Sequence, residues 1–117
     1  MYYAYGFSNG SGNGANGIAV ASSTDGVTWN LKTSVTFNSG GQFDDKPWIA
    51  ADPNQDEVLY VGWDRNKGND QILYASVSKD GGNTWSTPAK VNDGTTKFER
   101  VIYAFPAVVP PGATHTT

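Results

Sequence analysis

Acidic and basic side chains that together suit carbohydrate chemistry lie close to one another in three segments of the chain. Arginines and carboxylates hydrogen-bond sugar hydroxyls and acidic sugars, and a pair of carboxylates is the usual acid/base equipment of glycoside hydrolysis. Asp64 and Arg65 are the strongest candidates, because they directly follow the apolar pair Gly62-Trp63 and a rigid strand end would fix their direction. The alternative is that these are solvated loop charges. The candidate ligand-binding residues are Asp44, Asp45, Asp64, Arg65, Glu99 and Arg100.

Several kinds of catalytic or metal site are excluded by composition. The chain has no cysteine, and its one histidine, His115, lies two residues from the end. A catalytic triad and a multi-histidine metal site both need imidazoles positioned on the scaffold. The Gly/Asn-rich segment 8–17 has neither the Gly-Lys-Ser/Thr ending of a phosphate loop nor the carboxylates of a calcium loop. We therefore expect no metal and no cofactor.

Charge and hydropathy narrow the range of partners. The 117 residues carry a net charge of −3, and the lysines and arginines are scattered singly. Nucleic acid and anionic lipid are therefore not expected as partners. No apolar run approaches the roughly 18 residues of a membrane span, and the N-terminal residues lack the basic region of a signal peptide. We therefore expect any export signal to be missing or to lie upstream.

The elements that would position these side chains are β-strands. Short β-branched and aromatic runs separated by Gly, Asn, Asp and Pro recur along the chain, and helical periodicity is nearly absent. This pattern predicts an all-β fold. The predicted strands cover residues 2–7, 18–23, 29–37, 48–52, 58–63, 71–78, 85–91 and 101–109.

An internal repeat organises these strands. Ser23–Trp29 matches Ser78–Trp85 with one residue fewer, and each copy has an aspartate at its third position. Ala4-Tyr5-Gly6-Phe7 matches Tyr60-Val61-Gly62-Trp63 at nearly the same spacing, and Lys46–Ala50 matches Phe105–Val109 at a slightly longer one. A nearly constant period of this length defines a repeated supersecondary unit.

The repeated unit has four strands, a, b, c and d, and the chain starts and stops out of phase with it. The predicted order is b-c-d, a-b-c-d, a. Four-stranded antiparallel units with such a period are typical of β-propeller blades. We therefore expect a single partial propeller over 1–117 with about two blades. Residues 1–38 would form b-c-d of the first blade, 44–93 a complete second blade, and 98–117 strand a of the next.

The two matching turns resemble the Asp-box, or bacterial neuraminidase repeat, of sialidase-like propellers, since Ser78–Trp85 fits S-x-D-x-G-x-T-W and Ser23–Trp29 its shorter variant. The segment 44–53 is similar to a blade-opening strand of the same superfamily. In such a turn Asp, Ser and Thr bond nearby backbone amides and Gly supplies positive φ. We predict a structural role rather than calcium or glycan contact, with both tryptophans in the inter-blade core. The box residues are Ser23, Asp25, Gly26, Thr28, Trp29, Ser78, Asp80, Gly82, Thr84 and Trp85.

The resemblance also implies where a site would lie and that the protein is secreted. Sialidases place their active site at the face opposite the boxes, which here would collect the b-c loops 8–17 and 64–70 and the d-to-a connections 38–46 and 92–100. Such enzymes use three arginines, a tyrosine paired with a glutamate, and an Arg-Ile-Pro motif. This chain has only Arg65 and Arg100 and lacks Arg-Ile-Pro. A complete sialidase site cannot be assembled from one copy.

Three functions follow from these observations. A glycan-binding or interaction module comes first, a sialidase-type glycoside hydrolase second, and a structural scaffold or assembly factor third. The final strand a of one copy could complete the b-c-d group of a neighbouring copy. Three copies would then form a six-bladed ring, the number typical of sialidases. The alternative is a segment of a longer protein that supplies the missing blades.

Overall fold

The computed structural model describes residues 1–9, 14–92 and 106–109, and in these ranges every regular element is a β-strand. The predicted all-β fold class is confirmed. None of the described residues forms a helix long and apolar enough to cross a membrane. The strands are β1 (Tyr2–Ser8), β2 (Asn16–Ser22), β3 (Asn30–Leu31), β4 (Phe43–Ala51), β5 (Leu59–Lys67), β6 (Asp70–Ser78) and β7 (Ala89–Lys90).

The strands form two antiparallel sheets in which sequence neighbours are also neighbours in space. The first sheet has the order β1-β2-β3 and the second sheet the order β4-β5-β6-β7. A group of three strands followed by a group of four is the order that the repeat predicts. Consecutive strands pair directly, so both sheets are simple meanders.

The core lies between the two sheets. Ile18 and Val20 of β2 are fully buried, and they belong to the same apolar cluster as Val61 and Trp63 of β5. The Trp63 ring stacks on Tyr74 of β6 at 6.0 Å between centroids. Burying a large apolar side chain contributes roughly 1.5–3 kcal/mol, so this cluster holds the sheets face to face.

Two predicted strands are much shorter in the structure than the sequence suggested. The predicted strand 29–37 is reduced to β3, and 85–91 is reduced to β7. Pro88 has no N–H to give to the ladder, so pairing with β6 resumes only after it. Before it, the hydroxyl of Ser86 accepts the Val77 N–H, at 3.1 Å, in place of a backbone carbonyl. The last strand of each group is therefore only a short edge.

Two other strands are longer than predicted, which moves four candidate residues out of loops. β4 begins at Phe43 rather than 48, and β5 continues to Lys67 rather than ending at 63. The predictions that Asp44 and Asp45 lie in a connection and that Asp64 and Arg65 lie in a loop are therefore wrong. The ladder passes through a register shift between Asp45 and Trp48, made possible by the left-handed backbone of Lys46 at φ 51°.

The strand register relates the two hairpins slightly differently from the match found in the sequence. Tyr2 pairs with Ser22, and Tyr60 pairs with Val77. The sequence distance from Val77 to Asp80 equals that from Ser22 to Asp25. The two cross-strand pairs are therefore equivalent in the repeat. Tyr60 therefore corresponds to Tyr2 and not to Ala4, and the sequence match of these strands is wrong by two positions. The turns rather than the strands carry the clearer repeat signal.

The last predicted strand, 101–109, lies mostly outside the described residues. Residues 106–109 are described and belong to no strand. The predicted pairing role of 98–117 as strand a stays a prediction.

Candidate functional site

The charged candidates gather at one end of the molecule, which we call the polar end. Here Phe43 of β4 pairs with Asn66 of β5, next to the β5–β6 turn. The backbones of Asn16 and Asn38 form a bridge at the same end, and the Asn16 amide donates to the Gln42 carbonyl at 2.7 Å. The start of β2, the chain leading into β4 and the end of β5 therefore meet at this end.

Asp44 and Arg65 form an ion pair at the centre of this end. They are cross-strand neighbours on β4 and β5, and both side chains lie on the face of the second sheet that covers the core. Arg65 donates from Nε to Oδ1 at 2.6 Å and from Nη2 to Oδ2 at 2.8 Å. The Asp44 side chain is fully buried, and that of Arg65 is 15% exposed. This two-bond arrangement is the strongest form of carboxylate recognition.

Polar side chains from the first sheet and the chain that follows it complete the Asp44 environment. The Thr36 hydroxyl donates to Oδ2 at 2.6 Å, and the Asp44 N–H donates to the side-chain oxygen of Asn16 at 3.1 Å. Burial alone would raise the pKa of Asp44, but the hydrogen bonds from Arg65 and Thr36 outweigh it and leave the pKa below its ordinary value. Asp44 is therefore ionised and ties the two sheets together.

Arg65 is fully engaged by its neighbours. Its hydrogen bonds with Asp44 raise the pKa of the guanidinium against the opposing effect of burial. The guanidinium carbon also lies 4.6 Å from the centroid of the Tyr74 ring, a cation–π distance. An arginine already bound to a carboxylate and an aromatic face has little capacity left for an anionic ligand.

Asp45 and Lys46 lie at the bulge of β4 and point away from the core. Their side chains form an ion pair at 3.0 Å, with 41% and 39% of the respective side chains exposed. Asp45 is the cross-strand neighbour of Asp64, so the two carboxylates share the outer face of the second sheet.

Asp64 is a buried carboxylate with incomplete hydrogen bonding. It is 1% exposed, and its Oδ2 accepts a hydrogen bond from the Asn66 amide at 3.2 Å. Its Oδ1 has no hydrogen-bond partner in the described part of the chain. Burial raises the pKa of Asp64, and the nearby charge of Asp45 raises it further. Asp44 and Asp64 thus have opposite pKa shifts on opposite faces of one sheet.

A small polar pocket lies next to Asp64 at the β5–β6 turn. Its volume is about 160 Å³, and amide side chains dominate its walls, together with one carboxylate and a glycine. Asn66 both lines this pocket and binds Asp64. The lining residues are Asn66, Gly68, Asn69, Asp70 and Gln71. The candidates predicted from the sequence are all charged and do not include these amides, although a run of amides around a Gly turn is visible in the sequence.

The first of the two matching turns lies at the opposite end of the molecule and is closed by Asp25. Its Oδ1 accepts the N–H groups of Val27 at 2.8 Å and Thr28 at 2.7 Å, and the hydroxyl of Ser23 at 3.0 Å. These bonds, those of the Thr28 and Val27 backbone first, lower the pKa of Asp25 to about 2. The Ser23 hydroxyl in turn accepts the Gly26 N–H at 2.8 Å.

The second turn repeats this arrangement around Asp80. Its carboxylate accepts the Thr84 hydroxyl at 2.6 Å, the Thr84 N–H at 2.8 Å and the Ser78 hydroxyl at 2.8 Å. The pKa of Asp80 falls to about 2, chiefly through the Thr84 side chain and backbone. The Gly82 N–H donates to the Ser78 hydroxyl at 2.8 Å, as Gly26 does to Ser23. Both carboxylates therefore have a turn-forming arrangement.

The two turn tryptophans differ in their surroundings. Trp85 packs against the core cluster, and its indole N–H donates to the Thr33 carbonyl at 3.1 Å. Trp29 is 41% exposed, and among the described residues its indole N–H reaches only the Gly26 carbonyl of its own turn, at 3.3 Å. The prediction that both lie in an inter-blade core stays a prediction for Trp29, because no described sheet covers the outer face of the first sheet.

Glu99 and Arg100 lie outside the described residues. Within ranges 1–9, 14–92 and 106–109, no three His, Cys, Asp or Glu side chains come together to hold a metal ion. The structure therefore brings together Asp44 with Arg65, and Asp45 with Asp64, on opposite faces of one sheet.

Comparison with known proteins adds no relative. No protein-family model matches the sequence, and no curated protein and no solved structure gives a match. Function is therefore inferred from the geometry of the polar end and of the two turns.

Proposed function

We propose that this chain is a carbohydrate-binding module of the Asp-box propeller type. The observation that carries the carbohydrate part is the amide-lined pocket of about 160 Å³ beside Asp64. Amide groups both donate and accept hydrogen bonds, as sugar hydroxyls do. A carboxylate accepts hydrogen bonds from sugar hydroxyls. A shallow pocket of such groups suits the end of a glycan.

The ligand that fits this chemistry is an uncharged sugar ring. Arg65, which could recognise an acidic sugar, donates to Asp44 through two of its nitrogen atoms and lies over Tyr74. The outer face beside the pocket instead carries the Asp45 and Asp64 carboxylates. These would disfavour an acidic sugar by like-charge repulsion.

The propeller part of the proposal is supported by the repetition of the turns. Ser23 and Ser78 make equivalent hydrogen bonds in the two turns, as do Asp25 and Asp80, and each turn follows an interior strand of its sheet. Together with two successive antiparallel meanders, this favours repeated blades. Secretion, which the resemblance implies, is part of the same proposal.

Glycan-array binding followed by calorimetry tests the proposal. We expect saturable binding of neutral glycans by the full chain, without turnover. Asn69→Ala and Gln71→Ala should each weaken binding about tenfold, since losing one hydrogen bond costs about 1.4 kcal/mol. Asn54→Ala, an exposed amide of the β4–β5 loop outside the pocket, is the matched control and should bind normally. Wild-type affinity in both pocket variants would rule the site out.

A second candidate, glycoside hydrolysis, is favoured by one observation. The carboxylates of Asp45 and Asp64 are cross-strand neighbours, and the pKa of Asp64 is raised by burial. Glycoside hydrolysis uses a pair of carboxyl groups, one as an acid and one as a base or nucleophile. Release of the chromophore from aryl glycosides, including an aryl sialoside, would support hydrolysis if Asp64→Asn abolished it. No release from any of them leaves the binding proposal alone.

A further inference from the structure

The outer face of the first sheet carries an open aromatic groove. It encloses about 530 Å³ and is lined by Tyr3, Tyr5, Ala21, Trp29 and Leu31. The Tyr3 ring lies 6.3 Å from Tyr5 and 6.1 Å from Trp29 between centroids. Tyr3 is 59% exposed and Leu31 67% exposed. We call this surface the receiving face.

The equivalent face of the second sheet is covered by the first sheet. By the strand register, Tyr3 corresponds to Val61 and Tyr5 to Trp63, both of which are 0% exposed. What covers them is the inner face of the first sheet, through Ile18 and Val20. The receiving face of the first sheet therefore corresponds to the inner face of the second sheet, which the first sheet buries.

The two tryptophans show the same difference at the level of a single hydrogen bond. The Trp85 indole crosses to the chain that follows the first sheet and donates to the carbonyl of Thr33. In the described part of the chain, the indole of Trp29, its equivalent, donates only within its own turn. A neighbouring sheet on the receiving face would bring a carbonyl to Trp29, as Thr33 is brought to Trp85.

A complementary face exists on the second sheet. Val35 donates its N–H to Ile18 at 2.8 Å, and Val91 donates to Leu73 at 2.9 Å, so the two valines occupy equivalent positions. Val35 is 7% exposed in the core, whereas Val91 is 58% exposed. The surface around Val91 on the outer side of the second sheet thus repeats the position at which Val35 covers the core. We call it the covering face.

We propose that the receiving face of one copy of this chain binds the covering face of a second copy, head to tail. The contact continues the sheet-on-sheet packing already present within the chain. Such a contact joins two different surfaces, so it builds a ring if the rotation closes and a filament if it does not. Among the described residues no strand pairs with the outer edge of β1, which leaves that edge open to the neighbouring copy.

Light scattering on the full chain is the first test. We expect a mass of several chains at about 100 μM, well above a micromolar Kd. Three copies is the number that the sequence predicts. A folded monomer at that concentration would overturn the proposal.

Two charge substitutions test the two faces separately. Tyr3→Asp places a charge on the receiving face, and Val91→Asp does the same on the covering face. Each should reduce the mass to that of one chain, with an unchanged far-UV circular dichroism spectrum, because both side chains are exposed. Val27→Asp, at an 84% exposed position of the Asp25 turn, is the matched control and should assemble normally.

Mixing the two variants distinguishes a head-to-tail contact from any other. Tyr3→Asp keeps an intact covering face and Val91→Asp an intact receiving face, so an equimolar mixture can form one contact and no more. We expect a dimer from the mixture and a monomer from each variant alone. Assembly that survives both substitutions, or a mixture that stays monomeric, would overturn the proposal.

Discussion

The carboxylate of Asp44 is held by the guanidinium of Arg65 through two hydrogen bonds, 2.6 Å and 2.8 Å long, at the place where the two sheets meet. Because Thr36 binds the same carboxylate from the side of the first sheet, the pair connects both halves of the core. Two residues that sequence analysis proposed as ligand-binding groups therefore act as a structural clamp. This shifts the candidate site to the other face of β5.

Removing the carboxylate of Asp44 should strongly destabilise the protein. Asp44→Ala leaves Arg65 and the Thr36 hydroxyl without their partner in a buried place, and breaking such a pair costs about 3–5 kcal/mol. Urea unfolding followed by tryptophan fluorescence measures the loss. Asp45→Ala removes an exposed pair and should cost less than about 1 kcal/mol. Similar losses for both variants would contradict the clamp.

The double variant Asp44→Leu with Arg65→Met should recover part of that stability. It removes both charges together, so no buried charge is left unpaired. We expect the loss in free energy of unfolding to be smaller than the sum of the losses for Asp44→Leu and Arg65→Met alone. The difference should exceed about 1 kcal/mol. Additive losses would show that the two side chains contribute independently.

Asp64→Asn should maintain or raise stability at neutral pH. The pKa of Asp64 is raised in the fold, so its ionised form is less favourable there than in the unfolded chain. Wild-type stability therefore falls as pH rises from the unfolded value near 3.8 through the raised folded value. The variant should gain about 1 kcal/mol at pH 7 and nothing at pH 3. Melting temperatures of the variant and the wild type, measured across this pH range, test the prediction. A variant that melts below the wild type at pH 7 but not at pH 3 would contradict it.

The two turns should lose stability in acid. Asp25 and Asp80 have folded pKa values of about 2, below an ordinary 3.8. Their contribution is present above pH 4 and is lost as pH falls towards 2, because protonation removes acceptor capacity. Carboxyl titration by NMR should give both low values. Because both groups are exposed, salt should weaken the effect, and titration near 3.8 would contradict the turn geometry.

Gly17→Ala should destabilise the first sheet through a steric clash. A Cβ at Gly17 would overlap the carbonyl oxygen of Thr36 and lie 2.8 Å from the Phe7 ring. Since the nearest atom belongs to the backbone, the cost should reach about 3 kcal/mol. Gly6→Ala on the neighbouring strand meets nothing closer than 3.9 Å and is the control. Thermal unfolding compares the two, and equal Tm values would contradict the packing.

Much of the fold could be predicted from local sequence. The hairpins follow from alternating apolar residues between turn residues, and the turns follow from Ser78, Asp80 and Thr84, whose side chains bond groups within their own turn. Such short-range chemistry is visible in the sequence itself. The division into three and then four strands followed from counting the repeat.

The candidate site could not be predicted in the same way, because its contacts are distant in sequence. Asp44 and Arg65 are 21 residues apart, and which partner a charge will find depends on strand register. The register in turn depends on the left-handed backbone of Lys46. A positive φ at this position cannot be predicted from the residue type. The burial of Asp64 likewise follows from its being inside a strand rather than after one.

The correspondence of Tyr2 with Tyr60, where the sequence match had aligned Ala4, changes the alignment of the two hairpins but not the facing of their side chains. The two alignments of these strands differ by two positions, and a strand repeats its facing every second residue. An even slip leaves every side chain on its original face, whereas an odd slip would put Tyr3 and Tyr5 into the core. Because the difference is even, the sequence match and the strand register agree on which side chains of these strands share a face.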